Sequence, residues 1–383
     1  MKRAMILYLI LWHICFFPIV VRAEQMELTE EDSKEMMIEQ IEKLPLYDVE
    51  KQIEQIWKEE ELPSFRECIE KSILEGSFID FGELFSWLIQ KLAGEITVQI
   101  AMIKKILFVV LLSAILKNIN VSFHLKSVGE LGFYVCYMVL IVVIAATFYS
   151  QADMVSNTIK NVETFFEAMA PVFMTLSMAS GGYGQATVTA PAVMIGGGIL
   201  TNIVCNGILP AIVMATSLEM INNISEKPML NHFTKLFQSG ISWGMKGIAF
   251  LFMGLLSLQK LGGSVLNQGI GKTAKAVMTS VPVVGNVMGG VVDTAAALVG
   301  MIRGGTLITF VIFLMLFCVV PLIRLGIMIM IYKLTAAVVE PVCESRLVKC
   351  ISGAGDFSVL LFGAMFLVEC MFLFSAVLLL TFF

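Results

Sequence analysis

Long apolar runs constrain the fold of this chain more than any other feature of its sequence. A helix needs about 20 predominantly apolar residues to cross the hydrocarbon core of a bilayer. Runs close to that length lie at residues 98–117, 132–150, 186–204, 207–222, 241–258, 285–302, 306–331 and 357–381. The composition agrees, because 57% of the residues are hydrophobic and 15% are charged, whereas soluble domains hold about 45–50% and about 25%. We therefore predict an all-α polytopic membrane bundle with about seven to eight transmembrane helices.

The first residues have the pattern of a signal peptide. Lys2 and Arg3 precede an apolar run at residues 4–21, and small residues follow at the two positions that determine cleavage. This pattern predicts a signal peptide over residues 1–23, with an uncleaved anchor helix as the alternative. In both cases the chain that follows begins outside the cytoplasm.

Residues 24–95 form an acidic segment before the apolar runs begin. They hold 20 Asp and Glu against 7 Lys and Arg, so their net charge is −13 in a chain whose total is −5. Apolar residues at helical spacing indicate short helices, and Ser64 with Glu67 forms a capping-box pattern at a helix start. We predict a small extracytoplasmic helical domain, whose apolar stripes form either its own core or a docking face. Its acidity argues against binding to nucleic acid.

The rest of the chain divides into a linking helix and two similar halves. A helical pattern runs almost unbroken from Asp80 to Lys117, so we expect one helix to carry the chain from the outer segment into the membrane. The predicted divisions are a linking transmembrane helix with a cytoplasmic loop at 96–130, membrane repeat 1 at 131–222, membrane repeat 2 at 240–335, and a loop with the last transmembrane helix at 336–383.

Several motifs recur in the two halves at a nearly constant spacing. Two pairs of prolines are each separated by 111 residues, namely Pro171 with Pro282 and Pro210 with Pro321. Between them, the stretch IGGGILTN at 195–202 resembles IRGGTLIT at 302–309. Such self-similarity predicts an internal duplication of one helical unit.

Lysine content indicates how the two halves lie in the membrane. Residues 151–170 contain one lysine and residues 259–280 contain three, and segments rich in Lys and Arg stay cytoplasmic. Residues 151–170 are therefore predicted outside and 259–280 inside. This arrangement is an inverted repeat, in which each half crosses the membrane an odd number of times. In such repeats, helices interrupted by Gly or Pro often surround a substrate or ion path.

Eight residues are candidates for lining such a path, with close helix packing as the alternative role. They are Pro171, Gly181, Gly182, Pro191, Pro282, Gly285, Asp293 and Glu369. Ionisable residues inside an apolar span are functional candidates because they are costly in lipid. Glu369 lies near the middle of the last span, and the open interpretations are an ion pair with Lys246, a protonated state or a transport role.

The tripeptide Gly271-Lys272-Thr273 matches the end of a phosphate-binding loop, but the rest of that motif is missing. The motif requires a glycine at position 266, which is Leu266 here. It also requires a preceding strand in an α/β domain, whereas apolar helical runs surround it. The sequence contains no metal-ligand cluster, nucleophile–base pair or paired carboxylates, so we expect no enzyme activity, no cofactor and no bound metal.

Five short segments of the membrane body carry a family resemblance. They are MASGG at 178–182, TAKAV at 273–277, VPVVG at 281–285, VDT at 292–294 and IYKLTAA at 331–337, the last followed by Pro341. Together with the signal peptide and the acidic helical segment, they resemble the stage III sporulation protein AE family of endospore-forming bacteria. The resemblance covers nearly the whole chain, is most specific at 165–345 and is weakest at 24–95. It carries over no functional residue.

The resemblance implies a location, a role and a set of partners. Family members are expected in the mother-cell membrane that surrounds the forespore, as subunits of a secretion-like channel complex required for endospore formation. The implied partners are the other stage III sporulation A proteins and a stage II protein Q-type partner from the forespore, in an oligomeric complex. A stand-alone secondary transporter or permease is the alternative, and the extracytoplasmic helical segment favours the complex.

Overall fold

The computed structural model describes residues 30–56, 64–76, 81–123, 126–179, 190–225, 229–279 and 285–381. Across these residues the chain is almost entirely helical and contains no strand, which confirms the predicted all-α fold. The predicted signal peptide at 1–23 lies outside them.

Three short helices form the N-terminal part: α1 at Glu30–Glu42, α2 at Tyr47–Ile56 and α3 at Phe65–Leu74. The hydroxyl of Ser64 accepts a hydrogen bond from the backbone N–H of Glu67 at 3.2 Å, so the predicted start of α3 is confirmed. Such a cap satisfies one of the N–H groups that the first turn of a helix leaves without a partner. Gly76 follows α3 with φ at +73°, a left-handed conformation that glycine adopts without steric cost.

The longer helices follow in chain order. They are α4 at Phe81–Phe123, α5 at Lys126–Ala179, α6 at Ala190–Ile203, α7 at Leu209–Asn222, α8 at Asn231–Thr279, α9 at Gly285–Val339 and α10 at Ser345–Thr381. As predicted, α4 continues without a break from the outer segment into the first apolar run. The 54 residues of α5 and the 55 of α9 give helices of about 80 Å, whereas the hydrocarbon core is about 30 Å thick. These two helices are long enough to extend well beyond a bilayer surface.

Six helical segments in the described part of the chain are long and apolar enough to cross a membrane. They are Ile89–Leu116, Glu130–Ala179, Pro191–Asn222, Asn231–Ser257, Ala297–Val339 and Ser345–Val377. The predicted count of about seven to eight is not confirmed, because two pairs of predicted spans fuse. The described part of 186–204 continues directly into 207–222, and the runs at 285–302 and 306–331 both lie in α9.

A π-helical turn at Val204–Ile208 joins α6 to α7. Pro210 follows it in the first turn of α7, a position where the missing N–H of proline does not interrupt a helix. The backbone N–H of Leu209 donates to the carbonyl oxygen of Val204, five residues earlier. This wider turn takes up the change in the hydrogen-bond pattern, so the helix continues across the gap between the predicted spans 186–204 and 207–222.

Two hydrophobic clusters follow each other along the bundle. The larger cluster joins α1, α2 and α3 to α5–α10, and the smaller joins α4, α5, α7, α9 and α10. On α5, for example, buried residues within 133–144 belong to the smaller cluster and those within 148–176 to the larger. We call the two ends of the bundle the α3 end and the Tyr137 end. The apolar stripes of α1–α3 therefore pack on the long helices. Of the two predicted roles for these stripes, an own core or a docking face, the packing agrees with a docking face.

The packing does not match the predicted opposite placement of residues 151–170 and 259–280. Glu163 on α5 and Leu255 on α8 lie against neighbouring glycines within 196–198 of α6. Both residues are thus at the same level of the bundle. Residues 151–170 and the part of α8 that follows Leu255 therefore lie at the same end, the α3 end.

The reason for this difference is the number of crossings between the two segments. The prediction counted 186–204 and 207–222 as two spans, which with 241–258 made an odd number. Their fusion into one helix leaves two candidate spans, Pro191–Asn222 and Asn231–Ser257, and an even number returns the chain to the same side.

Candidate functional site

Three consecutive glycines on α6, residues 196–198, bring three long helices close together. We call them the α6 glycine triplet. A Cβ atom built on the first glycine would lie 2.8 Å from Cδ2 of Leu255 on α8, and one on the second would lie 3.5 Å from Cε1 of Phe372 on α10. A Cβ atom on the third would lie 3.1 Å from Oε1 of Glu163 on α5. Small residues permit such close approach of membrane helices.

The similar stretch on α9, residues 302–309, uses a glycine to receive α3. A Cβ atom built on Gly305 would overlap Cγ1 of Ile73 and lie 3.0 Å from its Cδ1, with the carbonyl oxygen of Ile69 at 3.6 Å. A Cβ atom on the neighbouring Gly304 would meet nothing within 4 Å. Helix α3 therefore packs directly on Gly305, and Gly304 is not needed for this packing.

Phenylalanine rings fill the space between α3 and the long helices. The ring centre of Phe65 on α3 lies 5.3 Å from that of Phe313 on α9 and 6.3 Å from that of Phe165 on α5, both in edge-on geometry. Phe165 also stacks on Phe310 with ring centres 5.0 Å apart. Offset and edge-on arrangements are the favourable ones for aromatic pairs, so this cluster fixes where α3 docks.

Glu369, the predicted residue in the middle of the last span, is buried in the larger cluster. It exposes 1% of its surface, and neither carboxylate oxygen has a hydrogen-bond partner in the described part of the chain. The proposed ion pair with Lys246 is wrong, because that side chain is exposed and its Nζ lies 5.4 Å from the ring centre of Trp243. Thr201 on α6 is also buried, and its hydroxyl has no hydrogen-bond partner among the residues that the structure describes.

An ion pair that sequence reasoning missed connects α4 to α9. Arg324 donates from Nε to Oε2 of Glu95 at 2.7 Å and from Nη2 to Oε1 of the same carboxylate. This bidentate geometry, with two parallel N–H···O hydrogen bonds, is the strongest form of an arginine–carboxylate contact. The side chain of Glu95 is 10% exposed and that of Arg324 is 39% exposed. No local pattern reveals the pair, because 229 residues separate its members.

Polar contacts tie the helices together at the Tyr137 end. The hydroxyl of Tyr137 on α5 donates to a carbonyl oxygen in the last turn of α7 at 2.8 Å. Nη1 of Arg346 donates to the carbonyl oxygen of Ile224 at 3.2 Å, and Nζ of Lys333 on α9 lies 2.8 Å from Oδ2 of Asp356 on α10. These contacts hold α5, α7, α9 and α10 in a fixed relation at this end.

The chain matches a family model over most of its length. The model, described as stage III sporulation protein AE, covers residues 63–382, which is everything from the start of α3. The chain belongs to the stage III sporulation protein AE family. A relative called stage III sporulation protein AE, from Bacillus subtilis (strain 168), is 21% identical over 299 residues, or 78% of this chain and 74% of the relative. No solved structure matches the chain.

Family membership confirms the resemblance carried by the short segments, and it implies a role in sporulation. The structure places the predicted candidates of this family member in different surroundings. Glu369 is buried, Pro171 is exposed within α5, Pro191 is half-buried in the first turn of α6, Gly285 begins α9, and Asp293 lies in α9 with its side chain outside the described residues. Gly181, Gly182 and Pro282 lie outside the described residues.

The Gly271-Lys272-Thr273 tripeptide of this family member lies within α8, where the backbone is a continuous helix. A phosphate-binding loop cradles its anion with N–H groups of a turn between a strand and a helix. Inside a helix those N–H groups are already used, so the tripeptide does not form such a loop. Among the side chains that the structure describes, no group of three or more His, Cys, Asp or Glu is placed to hold a metal ion.

The burial of the Cys68 side chain on α3 shows that the N-terminal helices pack tightly on the long helices. Its side chain is buried against the long helices, and this burial raises the pKa of the Cys68 thiol from an ordinary value of 9.0 to about 12. Only the thiolate reacts readily as a nucleophile. The thiol is therefore unreactive as long as α3 stays docked.

Proposed function

We propose that this chain is a membrane subunit of the mother-cell-to-forespore channel complex that endospore formation requires. The observation that carries the proposal is the family match over residues 63–382. The partners are the other stage III sporulation A proteins and a stage II protein Q-type protein from the forespore, in an oligomeric complex. We propose neither an enzyme activity nor a cofactor for this subunit.

The architecture supports a role in assembly. Helices α1–α3 pack on the long helices at one end of the bundle only, and α5 and α9 are longer than a bilayer requires. That end is a rigid platform with exposed positions such as Tyr47 on α2. A rigid platform outside the hydrocarbon core suits a subunit that holds partner proteins at a fixed position.

We place the α3 end on the extracytoplasmic side of the mother-cell membrane. Helices α1–α3 of the predicted extracytoplasmic segment pack at this end, and the chain after the predicted signal peptide begins outside the cytoplasm. Basic residues do not separate the ends, because Lys333, Arg346 and Lys349 lie near the Tyr137 end and the three lysines of 259–280 lie at the α3 end. The α3 end then faces the space between the mother-cell and forespore membranes. A partner from the forespore can reach the protein there.

Photo-crosslinking of the tagged full-length protein in sporulating cells tests this proposal. A photoreactive amino acid replaces either Tyr47 on α2, which is 76% exposed, or Phe250 on α8, which is 79% exposed. The two positions are matched in exposure, but only Phe250 lies in a candidate span. We expect crosslinks to the stage III A or stage II Q-type proteins from position 47 and none to them from position 250.

The alternative function is a stand-alone secondary transporter or permease. The buried and unpaired Glu369 favours it, because ionisable residues inside a membrane bundle often mark a substrate or ion path. Recovery of the protein alone from both crosslinking positions, under conditions that preserve other membrane complexes, would contradict the channel subunit and favour the permease. A substrate screen would then be the next step.

A further inference from the structure

Several buried polar side chains of the bundle have no hydrogen-bond partner among the described residues, and Glu369 and Thr201 are two of them. Glu369 and Thr201 each expose 1% of their surface, and none of their three side-chain oxygens has a hydrogen-bond partner among the described residues. Thr216 and Thr306, which are equally buried, donate to carbonyl oxygens four residues earlier at 2.7 and 2.8 Å. Buried polar groups are normally satisfied, so this pair requires an explanation.

The register of the helices places Thr201 at the level of Glu369. The second glycine of the α6 glycine triplet lies against Phe372, and further along the same helix pair Gly353 of α10 lies against α7. The chain through α6 and α7 therefore runs antiparallel to α10. On α10, Glu369 lies one turn from Phe372 in the direction of Gly353. On α6, Thr201 lies one turn from the glycine triplet in the direction of α7. Residues three or four apart share a helix face, so the two polar groups face the same interface.

No cation in the described part of the chain neutralises Glu369. Helices α5 to α9 all pack against α10. The ionisable groups that interact with Glu369 are the thiols of Cys318 on α9 and of the adjacent Cys370. On α5, Glu163 contacts the α6 glycine triplet, and on α7, Glu219 contacts Gly353. Lys246 of α8 is turned outward over Trp243. On α6, Thr201 is buried and the neighbouring Asn202 is exposed. Arg303 on α9 is fifteen residues from Cys318, or about 22 Å along the helix.

We propose that Glu369 binds one proton in the core of the bundle and that the hydroxyl of Thr201 is its hydrogen-bond partner when α6 and α10 shift against each other. A buried carboxylate without a cation is far more costly than a neutral carboxyl group. Hard metal cations take about six oxygen ligands, whereas this pair offers three oxygens. A proton needs only one of them.

Proton exchange requires the interface between α6 and α10 to open. The proton comes from a water molecule or hydronium ion and returns to water, and both must reach the carboxyl group. The π-helical turn at Val204–Ile208 connects α6 to α7, and such turns are frequent at functional sites. The α6 glycine triplet presents no side chains that interlock with α10. We therefore assign α6 as the element that moves, whether the protein is a channel subunit or a permease.

Infrared spectroscopy of the full-length protein in lipid nanodiscs tests the proton site. At pH 7 ordinary exposed carboxyl groups are ionised, so the carbonyl stretch of a protonated carboxyl group reports buried ones. We expect such a band in the wild type, its loss in Glu369→Gln, and its retention in Glu163→Gln, which removes a half-buried carboxyl group of α5. We also expect Thr201→Val to shift the frequency of the band, while Thr216→Val, a buried threonine bonded within its own helix, leaves it unchanged.

Three results would overturn the proposal. One is a wild type without the band at pH 7, which means that Glu369 is ionised. Another is a band that persists at full intensity in Glu369→Gln. The third is loss of the wild-type band when sodium replaces a bulky organic cation, which assigns the site to a metal ion. If Glu369→Gln does not accumulate, Glu369→Asp takes its place, and a band with unchanged frequency and intensity in that variant has the same meaning as the second result.

Discussion

Residues 195–202 on α6 and the similar residues 302–309 on α9 both let another element approach closely, but the elements differ. The α6 glycine triplet receives side chains from three long helices, whereas Gly305 on α9 receives the short helix α3. Glycine permits a close approach in both places because it has no Cβ atom. The comparison teaches that a repeated stretch supplies a packing surface, while its position in the fold decides what packs there.

The same contrast continues further along the two helices. Val213 on α7 and Arg324 on α9 are 111 residues apart, the spacing of the paired prolines. Val213 is half-buried against the larger apolar cluster, and Arg324 binds Glu95 of α4. The path through α6 and α7 thus joins the long helices to one another, and α9 attaches the N-terminal helices to them.

The largest expected effect concerns the orientation of the two halves, because the outcome is all or none. Single cysteines replace Asn161 on α5 and Gln268 on α8 in otherwise cysteine-free protein, and an impermeant thiol reagent is added to cells. Two candidate spans separate the positions, so we expect both to be labelled from the same side. Labelling from opposite sides would restore the inverted repeat predicted from the lysines.

Removing the aromatic anchor of α3 should have the next largest effect. We expect Phe65→Ala to weaken the docking of α3 by about 3–5 kcal/mol, the usual cost of truncating a buried phenylalanine. The thiol of Cys68, kept as the only cysteine, should then react rapidly with a soluble maleimide. Tyr47→Ala, at a position that is 76% exposed, is the control and should leave Cys68 protected. Equal protection in both variants would show that α3 does not depend on Phe65.

Replacing Gly305 on α9 with a larger residue should have a smaller effect on the docking of α3, measured by the same labelling of Cys68. We expect Gly305→Val to displace Ile73 and to weaken the docking by about 1–3 kcal/mol, as overpacking does. Gly304→Ala is the matched control, because its new Cβ atom meets nothing within 4 Å. Labelling of Cys68 should rise in Gly305→Val only, and a rise in both variants would contradict a specific role for Gly305.

The pH dependence of Cys68 provides a second measurement on the same variants. Its folded-state pKa of about 12 is above the ordinary value of 9.0, so the neutral thiol favours the docked state below pH 9, and this contribution is lost as the pH rises toward 12. In the wild type we expect slow labelling up to about pH 9 and faster labelling above it. In Gly305→Val, the labelling rate should already rise as the pH approaches the ordinary thiol pKa of 9.0 and should level off above it, as for a free thiol.

Breaking the ion pair between α4 and α9 should cost about 1–3 kcal/mol, less than a fully buried pair because Arg324 is 39% exposed. We expect Glu95→Gln and Arg324→Gln each to lower the thermal denaturation midpoint in nanodiscs, and the double variant to lower it by less than the sum. The exposed pair of Lys43 with Glu39, at 2.7 Å, is the control, and its loss should have little effect. Strict additivity of the two substitutions would mean that the pair is not coupled.

Substitutions in the α6 glycine triplet should have the smallest effects. Alanine favours helix over glycine by about 1 kcal/mol, which offsets part of the crowding. We expect Gly196→Ala, which meets Leu255 at 2.8 Å, to lower the denaturation midpoint more than Gly198→Ala, which meets the movable carboxylate of Glu163 at 3.1 Å. Gly207→Ala, with nothing within 4 Å, should raise it slightly. The reverse order would contradict the packing described for α6.

Some features of this protein could be predicted from its sequence because they depend on neighbouring residues. Apolar runs determine the all-α membrane bundle, and the side chain of Ser64 caps the helix that begins directly after it. The quoted family segments are also local, and the family match confirms them. The number of spans was not predictable in this way, because the sequence pattern does not show that a π-helical turn carries the helix past Pro210.

Local sequence specifies which segments are helical, which are apolar enough to cross a membrane, and that a carboxyl group lies within the last of them. The packing of the helices specifies what each one contacts: α3 on Gly305, Arg324 with Glu95, and Glu369 without Lys246. The two kinds of feature differ in the distance along the chain over which residues must act together. Helix formation and hydropathy depend on residues within a few turns, whereas contacts between residues 229 positions apart depend on how all the helices pack at once.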